Sequence, residues 1–587
     1  MNQTTDTYTL LRAFVDELVR CGMRAACTSP GSRSAPLALT LAGEPRLRSY
    51  SHIDERCASF FALGLAKATH LPVAVTCTSG TAVAELLPAA IEAREARVPL
   101  LLLSADRPAE LRENGAGQAI DQLKIFGDAA KWFFEVELRD AGPAQLRWMR
   151  TLACRAYWSA LDGRPGVVHL NFPLREPLID DTPLSPDDSG RPGGAPFVRR
   201  VAAAPEGPEP RARLSELVAG ARRGVVVAGR HERASPLGQS AAAFAAAAGW
   251  PLLADPLSGA RRGPAAIAHY DALLRDQRFA AELEPDLILR VGDLPVSKPL
   301  RSWLATLSGT AQVALDPEGA WQDPASALSD SLALEPAGAL AALAGGAIAP
   351  APEEWLERWR RADRLAAEAI RGVLGESPIS EPAVAEELGV LLSEEAVLFV
   401  ASSMPVRDIE TFWPVREDPP RVLCNRGANG IDGTVSAAFG AAAAPGGGPV
   451  VLLIGDVALA HDIGGLLAGG RLSLRLTIVL LENGGGGIFD FLPVASAGIA
   501  LAADPSHPGR DLYTQHVATP TGLDFANAAA LYGLGHERVR DLPGLRGALE
   551  RSLAASGAGI IEVPCERAAN VELHRAVWQA VAAALSR

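Results

Sequence analysis

The sequence predicts an α/β protein built from three parallel-sheet domains, and three observations carry that prediction. Apolar runs of strand length alternate with helix-length segments along the whole chain. Two stretches rich in Pro and Gly, over 174–210 and 345–352, have compositions that resist packing and cut the chain into three. A length of 587 residues is also too great for one hydrophobic core.

Taken in order, the first piece spans 1–180. It has strand-like runs at 50–53, 73–76, 99–104 and 167–171, with helices expected over 55–68 and 82–94. The second spans 200–345, with strands at 224–228, 287–291 and 312–315. Apart from Lys298, few chemically useful residues follow these strands, so its role is mainly scaffolding. The third spans 353–587, with strands at 396–400, 450–454, 477–481 and 560–563. No short-period repeat is visible, which excludes a solenoid.

Bulk properties exclude several classes of protein. A net charge of −13 argues against general nucleic-acid binding. The seven cysteines show no paired metal-ligand spacing, which predicts reduced packing residues in a cytoplasmic protein. The N-terminal stretch carries acids early and no basic region, unlike a secretory signal. The uncharged run at 433–455 is broken by Pro445, three glycines and Pro449, so it predicts a helix, a turn and a strand, not a bilayer span.

The most telling pair is Asp456 and Asn483. Each follows a buried-strand run, and a short helix is expected between them over 463–471. A strand–helix–strand crossover makes a parallel unit and brings both strand ends to one sheet edge, where ligands of open α/β sheets bind. A carboxylate, an amide oxygen and loop carbonyls suit a hard cation such as Mg²⁺ that leaves positions open for phosphate oxygens. Gly-Asp and Asn-Gly are also ordinary turn chemistry, so other residues must supply further support.

They lie on loops after other strands. Glu55 opens a helix behind Asp54, a natural N-cap, and a first-turn glutamate also suits the helix dipole. Ser32 and Arg33 lie in TSPGSRSAPL, Arg107 in SADRPAEL and Gln118 in GAGQAIDQ. Ser403 and Arg407 lie in SSMPVRDIE, Arg426 in NRGANGIDG and Lys298 in LPVSKPL. Loops of this kind carry function because a rigid scaffold positions them.

In this order, SPGSRSAPL, DER, TSGTA, SADRP, QAIDQ, NRGANGIDG, the Gly-Asp and Asn pair and GGIF resemble the thiamine-diphosphate enzymes. Among those, the chain is most similar to the 2-succinyl-5-enolpyruvyl-6-hydroxy-3-cyclohexene-1-carboxylate synthases of menaquinone biosynthesis. The resemblance runs from about residue 10 onwards and covers all three domains.

That resemblance implies a pyrimidine-binding domain, a central domain and a diphosphate-binding domain, with the cofactor held between subunits of a homodimer or homotetramer. Glu55 falls on the position of the carboxylate that activates the aminopyrimidine ring, so that the ring's imino form takes the C2 proton. Asp456, Asn483 and the Gly485 carbonyl fall on the Mg²⁺ (or Mn²⁺) ligand positions. Ile431 matches the apolar wedge under the cofactor, and Ile488 and Phe489 match pocket-lining residues. The family reaction decarboxylates 2-oxoglutarate and adds the succinyl unit to isochorismate. Both substrates are dianions, which accounts for cationic side chains at an acidic protein's site. The matching positions are Arg33, Arg107, Lys298, Arg407 and Arg426, with Ser32, Gln118 and Ser403 as polar partners.

Four positions depart from the pattern: Val457, Glu482, Gly117 and Pro299. The competing readings are a simple 2-oxoacid decarboxylase or acetolactate-type synthase, which needs fewer cationic groups, and a non-catalytic protein on the same fold, which need not keep Glu55 or Asp456. A nicotinamide dehydrogenase lacks support, because no GxGxxG follows an early strand.

Overall fold

The computed structural model describes residues 3–179, 183–200, 207–346, 348–495 and 511–587. Its contacts divide into two compact units. The first comprises Met1–Ala203, Asn425–Gly446 and His461–Arg475, and the second comprises Ala204–Cys424, Gly447–Ala460 and Leu476–Arg587.

The first unit holds a six-stranded sheet: β1 (Ala25–Thr28), β2 (Arg48–Ser51), β3 (Val73–Cys77), β4 (Leu100–Asp106), β5 (Ala130–Glu135) and β6 (Val167–Pro173). The strand order is β2-β1-β3-β4-β6-β5, with every pairing parallel. Helices Gln3–Cys21 and Pro143–Leu161 pack on it, burying Leu10, Phe14, Leu18, Met149 and Tyr157. Helix Glu55–Thr69 meets helix Thr434–Ala442 backbone to backbone. A Cβ on Gly64 would stand 1.8 Å from the Ala437 carbonyl oxygen, so no larger residue fits there.

The second unit holds two sheets. One contains β7 (Gly224–Ala228), β8 (Leu252–Ala254), β9 (Leu287–Val291), β10 (Ala311–Leu315) and β11 (Asp330–Leu332), in the order β11-β10-β9-β7-β8. The other contains β12 (Val397–Val400), β13 (Arg421–Leu423), β14 (Val450–Gly455), β15 (Thr477–Glu482), β16 (Gly535–Arg538) and β17 (Gly559–Pro564), in the order β13-β12-β14-β15-β17-β16. Both are parallel throughout. Trp359 of helix Glu353–Gly375 is fully buried and edge-on to Trp303 and Phe279.

Three parallel-sheet α/β domains are therefore present, as the alternating pattern predicts. Apart from β1, the interior strands coincide closely with the apolar runs; β7 and β9 do so residue for residue. The strands without a sequence signal are β1, β5, β8, β11, β13 and β16. Five of these six lie on sheet edges. Three of these edge strands, β8, β11 and β13, are only three residues long, too short for a run to stand out in the sequence.

Three local expectations are corrected. The helix expected over 82–94 is two, Thr81–Ala84 and Leu87–Ala96, because Pro88 can only start a helix. The segment over 463–471 is a 3₁₀ turn, Ile463–Leu466, and one short helical run, Leu467–Arg471, and it is counted with the first unit rather than with the strands it joins. The described part of the 174–210 stretch is anchored despite its composition. The fully buried Arg150 guanidinium needs acceptors, and finds Asp187 at 2.6 Å, Ser189 at 2.9 Å and Glu17 at 2.8 Å. Residues 180–182 and 201–206 of that stretch lie outside the described residues.

Among the described residues no helix is long and apolar enough to cross a membrane.

Candidate active site

In the second unit, β12, β14 and β15 are adjacent and parallel, so the loops after them share one edge. Ser403 and Arg407 follow β12, Asp456 follows β14 and Asn483 follows β15. Ser403 caps helix Met404–Phe412 at φ 76°, a backbone region costly for a non-glycine residue, and its carbonyl accepts from the Arg407 guanidinium.

Asp456 is the first residue of helix Asp456–His461 and is 2 % exposed. Its Oδ1 accepts from the Val457 amide at 2.8 Å and its Oδ2 from the Gly485 amide at 2.8 Å. Burial pushes its carboxyl up to about 6, and nearby Glu482 adds to that, against the pull of the backbone donors. Among the described residues it forms no ion pair. Gly485 has φ 133°, and a Cβ there would meet the Ala518 carbonyl oxygen at 2.5 Å, so the loop requires glycine. The Gly485 carbonyl accepts from the Gly487 amide at 2.9 Å, which leaves its second lone pair for another partner.

Asn483 supplies the clearest test of whether these residues fit a cation. Its Nδ2 donates to Glu381 Oε1 at 2.8 Å, while its buried Oδ1 has no hydrogen-bond partner. A buried carbonyl-type oxygen without a donor is costly. With the buried Asp456 carboxylate, which accepts two backbone amides and forms no ion pair among the described residues, it makes an all-oxygen donor set of the kind Mg²⁺ takes. The residues present fit a divalent cation.

Sequence reasoning missed three groups behind this edge. Glu381, at the start of helix Glu381–Leu391, is 1 % exposed, and burial with Asp408 nearby raises its carboxyl. Asp408 is fully buried and likewise raised by burial, with His574 Nε2 at 3.1 Å and Arg407 drawing it back down. In sequence, Ser380-Glu381-Pro382 is an ordinary helix start, so nothing marks it as part of a site.

In the first unit, Ser32, Arg33, Glu55, Arg107 and Gln118 lie on loops or helix starts after β1, β2 and β4. Glu55 is half-buried behind the Asp54 N-cap, whose carboxylate accepts from Cys57 N at 3.0 Å. Burial, then the charges of Asp54 and Glu85, raise its carboxyl above the usual glutamate value. Arg33 donates to the Leu174 carbonyl at 2.8 Å and to Glu176 at 3.0 Å. Arg107 donates to Ser79 Oγ at 2.5 Å, and burial, then the nearby positive Arg33, lowers its proton affinity. Gln118 is exposed at φ 55° and packs beside Gly80, whose amide is held by Gln122 at 2.9 Å. These five residues share one sheet edge, and Gln122 is a structural member of the same motif that the sequence reading overlooked.

Arg426 and Ile431 also belong to the first unit. Their loop is tied down by Glu92, which accepts from the Gly427 and Ala428 amides at 2.8 and 2.6 Å. The Ile431 carbonyl accepts from Thr434, and its side chain is half-buried. Ile488 and Phe489 lie in the 3₁₀ helix Gly487–Phe491, half-buried and exposed respectively.

Lys298 stands apart. It is exposed at the start of helix Lys298–Thr306, after β9, and lines a cavity of about 1150 Å³ with Arg275 and Trp578. Among the described residues no hydrogen bond or ion pair joins it to the Asp456 edge.

The four departures are structurally mild. Val457 gives Asp456 the same backbone donor that any residue would. Pro299 lies in the first turn of its helix, where proline is favoured. Nothing lies within 4 Å of a Cβ placed on Gly117, and Glu482 ends β15 with its carbonyl bonded to the Cys565 amide.

Comparison with known proteins matches three regions of the chain to one family. Residues 8–125 match the N-terminal TPP-binding domain of thiamine pyrophosphate enzymes, 196–400 the middle domain and 405–563 the C-terminal TPP-binding domain. The chain is 42% identical over 583 residues to a 2-succinyl-5-enolpyruvyl-6-hydroxy-3-cyclohexene-1-carboxylate synthase of Geobacillus kaustophilus, covering 98% of each. It is 41% identical over 588 residues to a synthase of the same name from Chloroflexus aurantiacus, covering 98% of this chain and 96% of that one. A Listeria monocytogenes synthase is 39% identical over 582 residues, covering 98% of this chain and 97% of its own length. With all three regions matched and relatives aligned nearly end to end, the chain belongs to the 2-succinyl-5-enolpyruvyl-6-hydroxy-3-cyclohexene-1-carboxylate synthase family of thiamine-diphosphate enzymes.

Proposed function

We propose that this chain is the carboligase that releases CO₂ from 2-oxoglutarate and adds the remaining succinyl-semialdehyde unit to isochorismate, using thiamine diphosphate and Mg²⁺ or Mn²⁺. The observation that carries the reading is the edge formed by β12, β14 and β15, which a buried carboxylate held only by backbone amides and a partnerless amide oxygen share with Ser403 and Arg407. When bound, thiamine diphosphate supplies a carbon nucleophile able to take up a 2-oxo acid and stabilise the charge left by decarboxylation.

The chain's own residues then have distinct tasks. Asp456 Oδ, Asn483 Oδ1 and the Gly485 carbonyl hold the cation. Glu55, with its carboxyl raised by burial, holds or yields a proton at the aminopyrimidine nitrogen. Ile431, Ile488 and Phe489 give the cofactor apolar walls. Arg33, Arg107, Lys298, Arg407 and Arg426 bind substrate carboxylates, assisted by Ser32, Gln118 and Ser403. Domain limits of 1–180, 200–345 and 353–587, a homodimer or homotetramer with shared sites, and a cytoplasmic location complete the reading.

The test incubates the protein with thiamine diphosphate and Mg²⁺, adding 2-oxoglutarate with and without isochorismate, and pyruvate as the control. Isochorismate consumed only in the presence of 2-oxoglutarate supports the proposal. Decarboxylation of pyruvate with isochorismate untouched would replace it with a simple 2-oxoacid decarboxylase.

A further inference from the structure

Asn483 has two amide atoms of similar size and opposite hydrogen-bonding character, and only one of them can ligate a cation. Its neighbour Glu381 decides between them. Glu381 Oε1 lies 2.8 Å from Asn483 Nδ2 and is an acceptor for that N–H. With Nδ2 engaged, the planar amide turns Oδ1 to the opposite side, where it is buried and without a partner. Turning the amide over would take the N–H away from the Glu381 Oε1 acceptor and leave Nδ2 where a cation would sit.

Glu381 is itself held rigidly. It begins helix Glu381–Leu391, whose first turn is fixed by Ser380 Oγ accepting from Ala383 N at 3.4 Å and by Pro382. The side chain is 1 % exposed, so water does not compete for the Asn483 amide. It stands 102 residues from Asn483 in sequence, so this contact exists only in the folded protein.

We propose that Glu381 is a positioning residue for the metal: it locks the Asn483 amide in the one orientation that presents Oδ1 to a divalent cation. The proposal rests on the metal reading given above. It does not require Glu381 to touch the cation, the cofactor or either substrate. Groups that orient a metal ligand from behind typically govern about 10–100-fold in affinity.

Binding of Mn²⁺ to the protein at one fixed thiamine diphosphate concentration and without substrate provides the test, read from the electron paramagnetic resonance of the free ion against a protein-free blank holding the same cofactor concentration. Glu381→Ala should weaken Mn²⁺ binding by about 10–100-fold. Glu381→Gln, which keeps an acceptor oxygen at the same reach, should stay within about three-fold of the parent. Glu381→Met fills the same volume without an acceptor, so it should behave like the alanine variant while keeping the core packed; melting and near-ultraviolet circular dichroism establish that each variant is folded. Asp456→Ala is the control for the metal site itself. If Asp456→Ala loses Mn²⁺ but Glu381→Met binds it as the parent does, the positioning role is overturned and the metal site stands. If Asp456→Ala binds Mn²⁺ normally, the metal site is misplaced. Equal losses in Glu381→Gln and Glu381→Met would also overturn the proposal, because the acceptor oxygen would then be irrelevant.

Discussion

The Gly485 amide donates to Asp456 Oδ2 at 2.8 Å, joining the glycine loop after β15 to the carboxylate after β14. This bond orients one proposed ligand and, through the same residue's carbonyl, draws a second into the loop. It is possible only because Gly485 takes φ 133° and approaches the Ala518 carbonyl closely.

Gly485→Ala therefore has to move the loop. Strain of this kind costs about 1–3 kcal/mol. The expected outcome is a folded protein with a lower melting temperature and weaker Mn²⁺ binding. A variant with parental Mn²⁺ affinity would show that the loop carbonyl is not a ligand.

Glu55→Gln retains shape and removes the proton-transfer group. Turnover should fall by about 10²–10⁴-fold, the usual worth of a positioned acid–base, with melting unchanged. Near-parental kcat would refute the role given to Glu55.

Arg407→Ala removes a guanidinium at the β12 edge. Losing a charge-assisted hydrogen bond costs about 1.5–3 kcal/mol, so KM for one of the two substrates should rise about 10–100-fold. Thiamine diphosphate affinity should hold steady. Unchanged KM for both substrates would remove Arg407 from the substrate site.

His169 gives a pH-dependent prediction away from the chemistry. Its ring packs against both Phe126 and Phe133, its Nε2 is 2.7 Å from Ser104 Oγ, and burial holds its pKa at about 3 against an ordinary 6.5. Above pH 6.5 the ring is neutral whether folded or unfolded, and its contribution to stability is complete. As pH falls from 6.5 towards 3, only the unfolded chain takes the proton, so stability declines by at most about 1.4 kcal/mol per pH unit. The urea midpoint of the parent should thus drop relative to that of His169→Gln between pH 7 and 4.5. A constant difference would show that the ring titrates normally.

Much of this protein was legible from sequence. Interior strands such as β7, β9 and β14 are apolar runs whose burial on both faces demands their composition. The loops carrying Ser32, Glu55, Arg107, Asp456 and Asn483 announce themselves because glycine, proline and polar residues follow those runs directly. What stayed hidden is long-range. The edge strands β8, β11 and β13 are three residues each, and pairing with a neighbour defines them more than any run of their own residues does. Residues 461–475 join two strands of one unit yet pack in the other, which local periodicity cannot express. Glu92, Gln122 and Glu381 look like ordinary helix or loop residues until folding sets them against the amides they hold. The sequence by itself determined which residue types stand at the sheet edges. Only the tertiary structure decided which way their polar atoms face, because an amide or carboxylate is oriented by partners tens to hundreds of residues away.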